Sequence, residues 1–121
     1  MQWELTNDRP LYIQLTEQLK RLILSGEYHP GEPFPSVREL ATSANVNPNT
    51  MQRALAELER DGLLITERTA GRRITNDHSM LEAMRNELAL TYLQKIKCEL
   101  SALGFEPENQ LTFINESWNK Y

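Results

Sequence analysis

The chain has 121 residues, 40% of them hydrophobic, and a net charge of −4, which bounds it to one domain or a small domain with an appendage. No stretch approaches the roughly 18 unbroken apolar residues of a membrane span, and no charged segment precedes a short apolar one as in a secretory leader. The single cysteine, Cys98, excludes an internal disulfide framework and fits a reducing cytoplasm.

Asn7-Asp8 with Pro10 opens a first helix over about residues 10–25. Its apolar set, Leu11, Leu15, Leu19, Leu22 and Ile23, recurs at helical spacing, and Gly26 stops it. Tyr28 through Pro35 holds three prolines and a glycine and reads as an extended loop. Ser36 with Glu39 three residues on is a capping box, which starts a second helix over about 36–44. Asn47 followed by Pro48 is an N-cap with proline at the first helical position, which starts a third helix over about 47–61, ending before Gly62. Met51, Ala54, Leu55 and Leu58 are its core face. Two helices so spaced form a helix-turn-helix, which lays the N-terminal end of its second helix in the major groove of DNA. Here that end offers Asn47, Asn49, Thr50, Gln52 and Arg53.

Leu63 through Glu67 reads as a strand, Arg68-Thr69-Ala70-Gly71 as a turn, and Arg72 through Thr75 as a second strand. Three helices and a small hairpin make a winged helix-turn-helix. A boundary falls near Asn76-Asp77-His78, with a DNA-binding domain over 1–77 and a two-helix tail over 78–121. Ser79 with Glu82 is a second capping box, opening a helix over about 79–103 that would be roughly 37 Å long. Its stripe of Leu81, Met84, Leu88, Tyr92, Ile96, Leu100 and Leu103 exceeds what a domain of this size covers and points to packing on another chain. Pro107 opens a last helix with Leu111, Ile114 and Trp118 on one face.

An acidic chain is not the usual nucleic-acid binder, but only the docking face must be positive. Residues 36–75 carry six arginines (38, 53, 60, 68, 72 and 73) against five acids, so the acidic excess lies elsewhere.

With these elements in place, residues 11–75 resemble the winged-helix domain of GntR-type bacterial transcription regulators. The matching blocks are Leu11 through Leu15, Ser25 through Gly31, Pro35 through Ala41, and Asn47 through Gly62. The two-helix remainder is similar to the YtrA subfamily, in which a short tail dimerises. Such regulators are typically repressors, often of operons that also encode ABC-type transporters. The resemblance implies that Arg38, the arginine of Pro-Ser-x-Arg, contacts a guanine, a pairing that contributes about 1–3 kcal/mol of discrimination. It places recognition-helix roles on Asn47, Asn49, Thr50, Gln52 and Arg53, and the wing glycine on Gly71 with Arg72 beside it. Two departures stand out. Many members carry an arginine where this chain has Pro48, and the family wing reads Gly-x-Gly before an aromatic or valine, where this chain has Ala70-Gly71-Arg72-Arg73-Ile74.

Each residue also has a plainer reading. Arg38 is otherwise a solvated helix arginine, and Arg53 pairs with Glu57 four residues on. Asn47 is mainly a cap, and a tight turn alone explains Gly71. Arg72 and Arg73 alternate across a strand, so only one of them faces DNA. His29, His78 and Cys98 lack metal-site spacing, and no nucleophile, base and acid fall into a catalytic pattern.

The expectation is thus a mainly α protein with a small β wing: a winged helix-turn-helix with a two-helix dimerisation tail. It is a homodimeric, sequence-specific repressor on a pseudo-palindromic operator in double-stranded DNA. Ser36, Arg38, Asn47, Asn49, Thr50, Gln52, Arg53, Gly71 and Arg72 are the DNA-binding candidates. No cofactor, metal or membrane partner is expected, and the protein is not an enzyme. An unknown small-molecule effector would act through the relative orientation of the two DNA-binding heads. The competing reading is a winged-helix interaction module that has lost DNA binding; a metal-responsive regulator is the third.

Overall fold

The computed structural model describes residues 1–121. It contains α1 (Leu11–Leu24), α2 (Val37–Ala44), α3 (Pro48–Arg60), β1 (Leu64–Glu67), β2 (Gly71–Ile74), α4 (His78–Ala102), α5 (Pro107–Ser117) and a closing 3₁₀ turn (Trp118–Lys120). The chain forms two compact units, Met1–Ala83 and Met84–Tyr121.

The core of the first unit is built where three helices and the hairpin meet. Leu15 and Leu19 from α1, Met51, Ala54, Leu55 and Leu58 from α3, and Leu63 ahead of β1 are fully buried, with Leu40 and Ala41 from α2 and Ile74 from β2 nearly so. Each leucine, isoleucine or methionine among them contributes about 1.5–3 kcal/mol on leaving water. The spacing of Met51, Ala54, Leu55 and Leu58 leaves the opposite face of α3 free of any packing duty. Buried Gln14 ties the N-terminal segment onto α1. Its Nε2 donates to the carbonyls of Thr6 at 2.9 Å and Arg9 at 2.7 Å, and its Oε1 accepts from the Thr6 amide at 2.8 Å.

The turn between α2 and α3 depends on Asn45, whose φ of 55° is left-handed. Asparagine tolerates that region better than other residues with a side chain. The Val46 amide then reaches back to the Ala41 carbonyl at 3.0 Å, closing α2.

β1 and β2 pair antiparallel, with Leu64 opposite Ile74 and Thr66 opposite Arg72. The loop before α2 is more ordered than its prolines suggest, because it lines the other edge of β2. The Phe34 amide donates to Arg72 O, the Ile74 amide to Glu32 O and the Gly31 amide to Ile74 O, each at 2.9 Å. Proline is tolerated at a sheet edge, where no ladder amide is needed from it. Gly31 has a φ of +80°, and Asn76 Oδ1 stands 2.5 Å from where a Cβ would sit.

The start of α4 differs from expectation. The Met80 amide donates to Asp77 Oδ1 at 3.0 Å, so Asp77 caps the helix and Ser79 lies inside it. Asp77 is itself held by its amide donating to Thr75 Oγ1 at 3.2 Å.

In the second unit α4 turns into α5 through Gly104, with the Phe105 amide reaching Leu100 O at 3.0 Å. Buried Gln110 donates to Ser101 Oγ at 2.9 Å and to Phe105 O at 3.1 Å, and the Phe105 and Phe113 rings stand 5.0 Å apart. No residue of α4 is buried. Its apolar surface is broader than the single stripe expected, since Leu90 and Leu93, off that stripe, are 64% and 47% exposed. No helix is long and apolar enough to cross a membrane.

Candidate nucleic-acid interface

The exposed surface of α3 begins at its N-cap. Asn47 Oδ1 accepts from the Asn49 amide at 2.7 Å, and Pro48 occupies the first turn without an amide that would need a partner. From this start, Asn49, Gln52 and Arg53 project into solvent, while Thr50 is half-buried. The unpaired first-turn amides and the helix dipole give this end a partial positive charge, which favours phosphate nearby.

α2 begins on a hydrogen-bonded pair. Ser36 Oγ accepts from the Glu39 amide at 3.2 Å and donates to Glu39 Oε1 at 3.2 Å. Arg38 follows two residues into the motif. It is exposed and forms no ion pair within the chain, so its guanidinium fork is available to an outside acceptor.

Arg53 does not pair with Glu57, which instead meets Arg60 at 3.4 Å. Its guanidinium lies over the ring of Tyr12 on α1. A stacked guanidinium keeps its N–H donors free around its edge, so Arg53 is held in place and still able to bond to phosphate or base.

The wing arginines separate by strand parity. Leu64 and Ile74 point into the core, and two residues along on the same face lie Thr66 and Arg72. Arg72 is therefore turned inward, its side chain only 15% exposed, with its Nε on Glu59 Oε1 of α3. The sequence reading set Arg72 against DNA; the structure places its guanidinium on Glu59. Partial burial acts to raise the Glu59 carboxyl, but hydrogen bonds from Thr66 and Arg72 and the Arg72 charge outweigh it, holding Glu59 below its ordinary value. Arg73 lies on the outer face. It pairs with Glu67 at 2.9 Å and donates to Gly31 O at 3.2 Å. Gly71 opens β2 with a φ of +77° and nothing within 4 Å of an added Cβ, so the turn needs glycine for its backbone and not for space. Arg68, at the wing tip, is exposed.

The structure thus gathers Ser36, Arg38, Asn47, Asn49, Thr50, Gln52 and Arg53 on α2, α3 and their caps, with Gly71 on the wing, and draws Arg72 back toward α3. Sequence reasoning missed Tyr12, Glu59 and Thr66. Strand parity, counted from Leu64 and Ile74, was a signal for Thr66 alone. No group of three or more metal-ligating side chains occurs.

The family profile "Bacterial regulatory proteins, gntR family" matches residues 11–74. The HTH-type transcriptional repressor YtrA of Bacillus subtilis is 37% identical over 108 residues, covering 88% of this chain and 83% of that protein. A GntR family transcriptional regulator from Listeria monocytogenes superposes with a TM-score of 0.85 at 34% identity, over 93% of this chain and 98% of that one. The AraR DNA-binding domain in complex with operator ORR3 superposes with a TM-score of 0.52 at 26% identity, over 62% of this chain and 93% of that one.

Proposed function

The chain belongs to the GntR family and is a DNA-binding helix-turn-helix transcriptional regulator, and from that premise we propose that it acts as a homodimeric repressor on a pseudo-palindromic operator. The observation that carries this reading is the exposed polar start of α3, with Asn49, Gln52 and Arg53 free of core packing and unpaired Arg38 on the neighbouring helix. Arg38 and the α3 side chains read base edges, with arginine forking onto guanine and asparagine or glutamine onto adenine. Ser36, Asn47 and Thr50 set the helix starts against the phosphates, and Gly71 lets the wing backbone approach the duplex.

Two copies join through α4 and α5, whose exposed apolar side chains need a cover. Tyr92, Leu93, Ile96, Phe113, Ile114 and Trp118 line an open groove of about 840 Å³ on this unit. A two-fold pair of heads then requires half-sites about one helical turn apart. The repressor reading is supported by the name of the Bacillus subtilis relative.

Selection of bound sites from random duplex DNA at fixed salt, with native protein and Arg38→Ala in parallel, tests the proposal. A two-fold-symmetric site enriched by the native protein and weakened in the variant upholds it. Folded protein that enriches nothing returns the reading to an interaction module.

A further inference from the structure

The wing carries an arginine that its own fold has turned away from solvent. Arg72 follows the wing glycine, where an exposed arginine would meet a phosphate, yet it shares a strand face with buried Ile74. Its charge is met by Glu59 of α3. Thr66 lies directly opposite Arg72 across the hairpin, so the Glu59 contact grips β2 at a paired position of the ladder. Glu59 also lies seven residues beyond Gln52, two turns along the same side of α3. One carboxylate therefore ties the wing to the helix that presents Gln52.

We propose that Glu59 is a positioning residue for the wing and that Arg72 is a strut to the recognition helix, not a phosphate contact. This rests on the DNA-binding reading above. A hairpin of two four-residue strands has little rigidity of its own. The backbone bonds from the loop before α2 reach β2 at Arg72 and Ile74, and none reaches β1. The Glu59 ion pair adds a side-chain tie from Arg72 to α3 and fixes the angle between wing and α3. The pairing also neutralises a carboxylate that would otherwise stand unmatched on the DNA-reading helix. Phosphate contact at the wing then falls to the backbone around Gly71 and to Arg68 at the tip.

A charge exchange tests the assignment. Arg72→Glu sets two carboxylates against each other. Adding Glu59→Arg restores an ion pair of opposite sense with the native net charge. Affinity for the selected operator and for an unrelated duplex is titrated at several salt concentrations, and thermal unfolding is followed in parallel. The strut predicts that Arg72→Glu lowers the ratio of specific to non-specific affinity by about tenfold and that the exchanged pair recovers most of it. It also predicts an unchanged slope of log affinity against log salt in the exchanged pair. A direct phosphate contact predicts no recovery and a slope shallower by about 0.9, which would overturn the proposal. Should the native protein bind no duplex, the DNA-binding reading itself fails. The strut is then decided by unfolding alone: recovery of the melting temperature in the exchanged pair upholds it, and no recovery overturns it.

Discussion

The guanidinium carbon of Arg53 stands 3.6 Å from the centre of the Tyr12 ring, so the first helix orients a side chain in the exposed first turns of the third. Tyr12→Leu removes the stack and is expected to weaken operator binding about two- to fivefold. Tyr12→Phe keeps the ring and should stay close to native. Anisotropy titration with the selected duplex measures both, and equal losses in the two variants would place the effect on the hydroxyl instead.

The cap of α4 is open to a direct comparison. Asp77→Ala leaves the Met80 amide without its side-chain partner and should cost about 1 kcal/mol. Ser79→Ala, at a position inside the helix, should change little. Urea denaturation of the two variants decides between them, and the reverse ranking would restore the serine cap.

Acid should loosen the junction of wing and helix. Glu59 is held below its ordinary value of 4.5, so folding favours its charged form. Its contribution is complete above 4.5 and fades as pH falls through the lower, folded-state value. The urea midpoint of native protein should therefore drop more between pH 7 and strongly acidic pH than that of Glu59→Gln, whose side chain does not titrate. Parallel curves for the two proteins would remove Glu59 as a contributor.

The tail unit can be addressed without substituting any of the proposed DNA contacts. Ile96 and Trp118 are 47% and 72% exposed and line the α4–α5 groove. Ile96→Asp or Trp118→Asp should convert a dimer to a monomer by light scattering, with helical content retained by circular dichroism. Each variant should also lose preference for a two-half-site duplex over a single half-site. A dimer that survives both substitutions would place the interface elsewhere.

The helical skeleton and the hairpin were legible because local chemistry decides them. Ser36 with Glu39 and Asn47 with Pro48 start the helices that the structure begins at Val37 and Pro48. The misses share a cause, which is that the deciding partner is remote or equally plausible nearby. Asp77 and Ser79 both suit a cap, and only the fold about Thr75 chooses. The i, i+4 rule paired Arg53 with Glu57, while its actual neighbour lies on another helix. Glu59 is thirteen residues from Arg72 and becomes its partner only once the hairpin closes. Prolines hid the strand-like run of Glu32–Phe34, because an edge segment can lack the amides that a central strand must supply.

That edge run makes the connection between α1 and α2 a poor place to lengthen or cut the chain. Although irregular in sequence, Gly31, Glu32 and Phe34 hold the inner margin of β2 by three backbone bonds. A graft at Pro30–Gly31 would unzip the sheet at its base, whereas one at Thr69–Ala70 meets only solvent. Trypsin should accordingly nick the native protein first after Arg68. An affinity tag or fluorophore intended to leave the architecture intact is better inserted at the wing tip than in the proline-rich loop, provided the experiment does not also need DNA bound.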